Sequence, residues 1–374
     1  MDQRENNGKI PGGYIMKKIL KIICGILLVV IVAVGGLFTY LSLTEYRPEE
    51  ETELTLSGTA VKSLKEGDPL RVLTWNIGYG ALGDNADFFM DGGKMVNTAD
   101  RGRVQENMSS LLADIQAQDA DLILIQECDT DSSRSHHTNE MTYLSEGLPD
   151  MVYTFANNFK VAFLPYPIPP IGKVDSGLVT FSAYPVSQAK RQSLPVPFKW
   201  PIRMANLKRC LAVHRIPLEN SEKELVLINL HLEAYDDGEG KVAQTKMLRE
   251  VLQAEADAGN YVIAGGDFNQ TFDDIDISRF PLQEGMWAPG IIADEDFGAG
   301  WQFCMDAEIP TCRSLDKPYR DADLEHFQYY VIDGFIVSDN IKIDSLRTLD
   351  LGFTASDHNP VLMEAVLVNG DGSF

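Results

Sequence analysis

Residues able to hold a cation or move a proton recur at the ends of apolar runs in this chain. LRVLTWNI (70–77) closes near Trp75-Asn76, DLILIQE (121–127) closes on Gln126-Glu127, and NLHLE carries Asn229 and His231 two apart. AGGDFNQ (264–270) follows Tyr261-Val262-Ile263 and sets Asp267 and Asn269 two apart, VIDGFIVS supplies Asp333, and SDHNPV supplies Asp357 and His358. Alternate residues of an extended chain point to one side, so this spacing aims pairs of polar groups at one place. Carboxylate and amide oxygens suit a hard divalent ion, and an Asp beside a His fixes which ring nitrogen carries the proton. Each ending also has an ordinary explanation. Asn76 can shape a turn, His231 can be a satisfied core histidine, Glu127 a surface strand end, Asp267 to Asn269 an Asx-turn, and Asp357 a cap before Asn359-Pro360. Six such endings in one chain imply instead a sheet edge built to hold a metal and a tetrahedral anion. Gly265 and Gly266 read as room for something to approach the backbone.

The elements that must position these residues alternate between strands and helices. Strands are expected at 70–77, 121–127, 151–157, 177–182, 209–216, 224–231, 261–265, 329–337 and 361–368. In the helix over 103–118, Val104, Met108, Leu111, Leu112 and Ile115 share a face, and in 240–256 so do Val242, Leu248, Val251 and Leu252. Short helices among many strands imply sheets covered by helices. Two proline-rich apolar inserts, 161–174 and 195–209, read either as core-covering loops or as a substrate rim near a membrane. The second ends in a basic cluster, Arg203, Lys208 and Arg209, offering arginine to a phosphate. Arg134, His136 and His137, in DTDSSRSHHTNE after Glu127, read as a solvated loop in preference to groups that reach the site.

Residues 22–44 carry no charge, and 23 residues at about 1.5 Å each span about 34 Å, enough to cross a hydrocarbon core. Lys17, Lys18 and Lys21 precede this run and Glu45, Glu49, Glu50, Glu51 and Glu53 follow it. That asymmetry implies a single-pass anchor in the cell membrane, residues 1–21 cytoplasmic and the body outside. Residues 45–69 read as an acidic tether, with translation starting at Met1 or Met16. Residues 1–53 hold 6 basic and 7 acidic residues, leaving 26 against 48 in the rest, a net −22. Such a charge opposes long-range attraction to a polyanion. Cys304 and Cys312 form a disulfide outside the cell or stay free, and no Cys/His set suggests zinc.

The order WNI, QE, SG, NLHL, GDFN, ID and SDH, over residues 70–368, resembles the endonuclease/exonuclease/phosphatase superfamily and its deoxyribonuclease-I-like fold. The resemblance implies an α/β domain at 70–369, a four-layered α/β/β/α sandwich of two packed mixed sheets behind one transmembrane helix. It implies hydrolysis of phosphate esters with Mg2+, for which Mn2+ can substitute. Carried over, Glu127 is the main metal ligand, with Asn76 beside it and Asp357 adding coordination. Asp267 orients or deprotonates the attacking water, His231 contacts the scissile phosphate, and His358, oriented by Asp333, hydrogen-bonds it. Asn269, Asn229 and Arg209 contact the substrate phosphate. Gly334 departs from the pattern, standing where many relatives carry a bulkier residue. The substrate stays open: a nuclease-type phosphodiesterase outside the membrane, or a phospholipid or small phosphoester hydrolase. An inactive membrane-tethered binding module is the reading of another class, opposed by the complete set of polar positions. A monomer without an obligate protein partner is expected.

Overall fold

A computed structural model describes residues 12–236 and 238–368. Met1, and with it part of the expected 1–21 segment, lies outside the described residues. The chain divides into two units, Met1–Glu45 and Tyr46–Phe374. The first contains one helix, Gly12–Leu43, whose span Gly13–Leu43 is long and apolar enough for a membrane crossing or a signal sequence. It starts ten residues before the expected 22–44 run, because Lys17, Lys18 and Lys21 continue the helix.

In the second unit, strand alternation builds the layers. Leu70 and Val72 face inward with Leu225, Leu227, Tyr261, Ile263, Phe335 and Val337, forming a core between two sheets. Their odd-parity neighbours Leu73 and Trp75 face outward onto Val104, Met108, Leu111 and Ile115 of the helix Arg101–Gln118. Val226, Ile228 and Val262 likewise face Leu248 and Leu252 of the helix Glu239–Asp257. Helix, sheet, sheet and helix are thus the four layers.

One seven-stranded sheet runs in the order Glu51–Glu53, Gln188–Ser193, Cys210–Pro217, Glu224–His231, Tyr261–Asp267, Asp333–Ser338, Trp301–Cys304. The other runs Ile341–Thr348, Val361–Leu367, Pro69–Asn76, Leu122–Asp129, Gly172–Ser182, Val152–Leu164, Ser57–Gly58. Each sheet is mixed. Pro69–Asn76 pairs in parallel with Leu122–Asp129, and Glu224–His231 with Tyr261–Asp267. Parallel neighbours need a crossover, and the two outer helices supply it. The carboxyl ends of these four strands carry Asn76, Glu127, His231 and Asp267 to one edge of the sandwich.

Several expectations change. Residues 45–69 are not a tether. Glu51–Glu53 pairs with Gln188–Ser193, Ser57–Gly58 pairs with Val152–Leu164, and Leu64 is buried against Leu218, because edge strands need few apolar residues and so escape an apolar pattern. The expected strand 329–337 is broken into Tyr329–Tyr330 and Asp333–Ser338. Val242 is exposed, since Gln244 takes the inward position and bonds the Glu233 N–H at 2.9 Å and the Pro195 carbonyl at 2.9 Å. Cys304 and Cys312 are buried free thiols. The glycines of AGGDFNQ serve packing: a Cβ on Gly265 would stand 2.5 Å from the Phe335 ring, and one on Gly266 2.0 Å from the Leu230 carbonyl oxygen. Gly334 is glycine for a like reason, a Cβ there falling 2.3 Å from the Cys304 oxygen.

Polar side chains also bridge the sheets. Gln126 Nε2 donates to Asn229 Oδ1 at 2.8 Å, while Asn229 Nδ2 donates to the Val179 carbonyl at 3.0 Å and the Ile125 carbonyl at 3.2 Å. His214, pushed down to about 4 by burial, stays neutral: its Nδ1–H points to the Leu227 carbonyl and its Nε2 accepts from Thr154 Oγ1 at 2.7 Å across the gap. Removing Asn229 takes one acceptor from Gln126 Nε2, withdraws the donor shared by the Val179 and Ile125 carbonyls, and leaves a void. Asn229→Ala is therefore expected to lower unfolding stability by about 2–4 kcal/mol in urea titration. A loss below about 1 kcal/mol would contradict the bridging role.

Candidate active site

The inward rows that build the inter-sheet core turn polar at one end. Leu70 and Val72 lead to Thr74 and Asn76, Leu225 and Leu227 lead to Asn229 and His231, and Tyr261 and Ile263 lead to Gly265 and Asp267. Register completes the set: Asn76 lies opposite Gln126, and Asp267 stands between His231 on one side and Asp333 on the other. Glu127 has the wrong parity for this face. A register shift between Ile125 and Cys128, with φ of 54° at Glu127, turns its carboxylate in. His358 arrives from a loop fixed to the first strand. Trp75 Nε1 donates to the His358 carbonyl at 2.8 Å, and Ser356 Oγ donates to the Asn76 carbonyl at 2.8 Å.

Asp267 is the hub. Its Oδ1 accepts from the Asn269 N–H at 2.9 Å, the Asx-turn that residue types alone suggest, while Oδ2 accepts from Asn76 Nδ2 at 3.0 Å. The same Oδ2 lies 3.4 Å from His231 Nε2 and 3.8 Å from His358 Nε2. Asn76 Nδ2 also reaches Glu127 Oε1 at 3.2 Å, and its Oδ1 accepts from the Gly78 N–H at 3.0 Å. Asn76 therefore stands beside Glu127 as expected, but it presents a donor that bridges two carboxylates, its oxygen being engaged by backbone. Asp333 Oδ2 lies 2.9 Å from His358 Nδ1, and Nε2 of that ring faces the cleft.

The two histidines are driven in opposite directions. Burial works against a charged His358, yet Asp333 at its Nδ1 outweighs that and raises the ring well above its usual value. His231 is pushed well below, by burial first and then by the positive charges of Arg209 and His358. One ring is thus an imidazolium and the other neutral, with His231 Nδ1 lacking a hydrogen-bond partner among the described residues. The carboxylates crowd one another: burial and then Asp333 raise Asp267 to about 7. Burial, with Glu127 as the nearby negative charge, raises Asp357 to about 6 despite His358. Buried carboxylates held this close fit a divalent cation, which removes that repulsion, and the oxygen donors fit a hard ion. Asp267, Asp333 and His358 also offer ligand atoms within 4.8 Å of one another, as do Cys312, Asp357 and His358.

Glu127, His231, Asp267, Asp357 and His358 line one cleft of about 720 Å³, while Asn76 and Asp333 bond to them from outside its lining. Asn269 lines it too, with one amide N–H given to the Leu232 carbonyl at 2.9 Å. Of two further expected phosphate contacts, one is corrected and the other lies at the cleft. Asn229 does not reach the cleft, its amide being saturated between the sheets. Arg209 lines the wall, its Nε meeting Glu233 Oε2 at 3.3 Å and its Nη1 the His231 carbonyl at 3.1 Å. Arg134 lines the wall as well, against the reading of a solvated loop. Asp129 holds its guanidinium at 2.9 and 3.1 Å over the Tyr79 ring, 3.6 Å from the centroid, placing it on the cleft wall. Its distance of seven residues from Glu127 was the available signal. His136 and His137 turn away, to the Ala99 carbonyl and to Asp131.

A family profile described as the Endonuclease/Exonuclease/phosphatase family matches residues 73–358. Among solved structures, an endonuclease/exonuclease/phosphatase from Beutenbergia cavernae DSM 12333 is 17% identical with a TM-score of 0.53, covering 80% of this chain and 72% of that one. An endonuclease/exonuclease/phosphatase family protein from Bacteroides thetaiotaomicron is 17% identical with a TM-score of 0.52, covering 83% and 99%. At these identities the likeness shows the fold. No curated protein matches the chain.

The Asp333–His358 pair makes a testable statement about protons. A raised histidine stabilises the fold fully below its unfolded value of about 6.5 and loses that contribution as pH rises through the raised one. Asp333→Asn removes the largest of the charges that oppose burial, so the ring is expected to titrate at a lower pH than in the parent. Imidazole NMR titration reads both, and an unchanged His358 titration in Asp333→Asn would contradict the pairing.

Proposed function

Because the chain belongs to the endonuclease/exonuclease/phosphatase family, whose members are generally phosphoesterase hydrolases, we propose that it hydrolyses phosphodiester bonds with a divalent cation while anchored in a membrane, its catalytic domain outside. The observation that carries this reading is the Asp333–His358 pair at 2.9 Å, aimed at the carboxylates of Glu127, Asp267 and Asp357 in one cleft. An inactive binding module has no use for two histidines held in opposite protonation states beside a hydrogen-bonded carboxylate.

Each group has a part in the chemistry. Glu127 and Asp357 are the residues that would hold Mg2+, or Mn2+ in its place, and Asn76 keeps Glu127 and Asp267 at a fixed spacing. Bound there, the ion polarises a phosphoryl oxygen and acidifies water. Asp267, between the two rings, orients the attacking water and takes its proton. His358, kept protonated by Asp333, donates through Nε2 to a phosphate oxygen whose charge grows in the transition state. His231, neutral, contacts the phosphate from the facing sheet, and Arg134 supplies a further positive charge on the wall. Nothing in this scheme needs a second chain. The lysines before the uncharged run 22–44 and the glutamates after it support the outward orientation.

Glu127→Gln tests the reading on a simple aryl phosphodiester. The amide keeps the hydrogen-bonding shape and removes the charge, so turnover with Mg2+ is expected to fall by about two orders of magnitude or more while circular dichroism is unchanged. Near-normal turnover at limiting Mg2+ would sink the assignment.

A further inference from the structure

Four large apolar side chains stand out on two loops at the mouth of the cleft. Tyr166 is 69% and Ile168 94% exposed, on the proline-rich turn between Val152–Leu164 and Gly172–Ser182. Trp200 is 61% and Ile202 62% exposed, on the segment joining Gln188–Ser193 to Cys210–Pro217. The second segment packs on the strand that leads to the first turn, the Lys208 N–H donating to the carbonyl of Asn158 in Val152–Leu164 at 2.8 Å. Both contribute to the cleft that holds His231 and Asp267, the first through Leu164 and Tyr166, the second through Phe198 and Leu207. Behind them the wall stays apolar, with Phe88, Ile171, Met286 and Trp287. Single exposed apolar residues are ordinary in proteins. Four on two proline-stiffened loops around one mouth form a patch of the kind that marks an interaction surface.

The chain's own course names the occupant. The membrane-length helix ends at Leu43, and six residues later, an extended reach of about 20 Å, the chain is already bound to the catalytic domain. There the Glu49 carbonyl accepts from Ser193 Oγ at 2.7 Å and the Glu50 carbonyl from the Ser193 N–H at 2.8 Å. Ser193 stands two residues before the 195–209 loop begins, so the loop that carries Trp200 and Ile202 follows directly on the strand that binds the first residues of this unit. Trp and Tyr favour the membrane–water boundary, with ring body in the acyl region and polar atom in water. Lys199 and Arg203, on the same loop, put positive charge beside them in a body of net −22, suited to lipid phosphates at short range. A free polyanion would meet that net charge over a far longer distance.

We propose that this rim seats in a lipid bilayer and that the phosphodiester entering the cleft belongs to a membrane lipid. The seating of the rim stands on its own; the lipid as substrate rests on the hydrolase reading above.

The test uses the full chain reconstituted into phosphatidylcholine–phosphatidylglycerol vesicles with Mg2+. Brominated phospholipid is expected to quench an emission component that is missing in Trp200→Phe. Ile168→Asp and Trp200→Asp, both at exposed positions, are expected to lower hydrolysis of vesicle phospholipid by roughly tenfold or more, with cleavage of bis(p-nitrophenyl) phosphate within about twofold of the parent. Trp200 emission indifferent to the quencher would overturn the seating. Equal losses on both substrates would overturn the role of the rim in lipid turnover. Cleavage of the aryl ester without any cleavage of vesicle lipid would overturn the substrate class alone. A parent chain that hydrolyses neither ester would sink the hydrolase reading, and the quenching would then decide the seating by itself.

Discussion

Gln126 and Asn229 meet across the gap between the two sheets at 2.8 Å, and what lies above them depends on that contact. Below the pair the inward rows are apolar and the sheets close on one another. Above it the next inward residues are Asn76, His231 and Asp267, of which His231 and Asp267 line a cleft. The amide pair therefore forms a polar floor, satisfied on both sides, where an apolar core ends and a polar site begins. An amide bridge suits that boundary because it binds the sheets without a buried charge, and its donors also reach the Val179 and Ile125 carbonyls and Thr74 Oγ1. With the floor fixed, His231, Asp267 and Asp333 from one sheet and Asn76 and Glu127 from the other have set distances.

The electrostatics follow from that placement. Asp267 and Asp357 are raised because they are buried among other carboxylates, and His231 is lowered because it is buried beside cations. Only His358 has a dedicated counter-charge, and it alone of the two rings is held positive. Two histidines near one carboxylate oxygen, at 3.4 and 3.8 Å, thus differ in protonation for a local reason, the presence or absence of an Asp at the far nitrogen. A third group, Arg134, reaches the wall only because Asp129 and the Tyr79 ring hold it there. Second partners of this kind set the roles of the residues that face the cleft.

Much of this was legible in the chain, and the exceptions have physical causes. Period-two spacing places Asn76, Asn229, His231, Asp267 and Asp333 on the inward face, and the ordered endings point to one edge. Glu127 breaks the rule, since strict alternation would turn it outward; the bulge that corrects it depends on pairing with Gly172–Ser182, which no local pattern reveals. Asn229 has the right parity but lies one step too deep, a matter of how far apart the sheets stand at that level. Gly265 and Gly266 look like access for a substrate until Phe335 and Leu230 are seen against them. The edge strand Glu51–Glu53 and its neighbour Gln188–Ser193 were missed because polar residues suffice near an edge. The exposed turn at Ile168 differs from a core-covering loop only in where the long hairpin Val152–Leu164 and Gly172–Ser182 carries it.

The central claim is that Glu127 and Asp357 form a cation site on the polar side of the amide floor. Anomalous X-ray scattering from crystals grown with Mn2+ measures this most directly. The account predicts a peak within about 2.5 Å of a Glu127 carboxylate oxygen and of an Asp357 oxygen, in the cleft faced by His358 Nε2. A peak only elsewhere on the chain, or none at saturating Mn2+ with Glu127 still bonded to Asn76 alone, would contradict it.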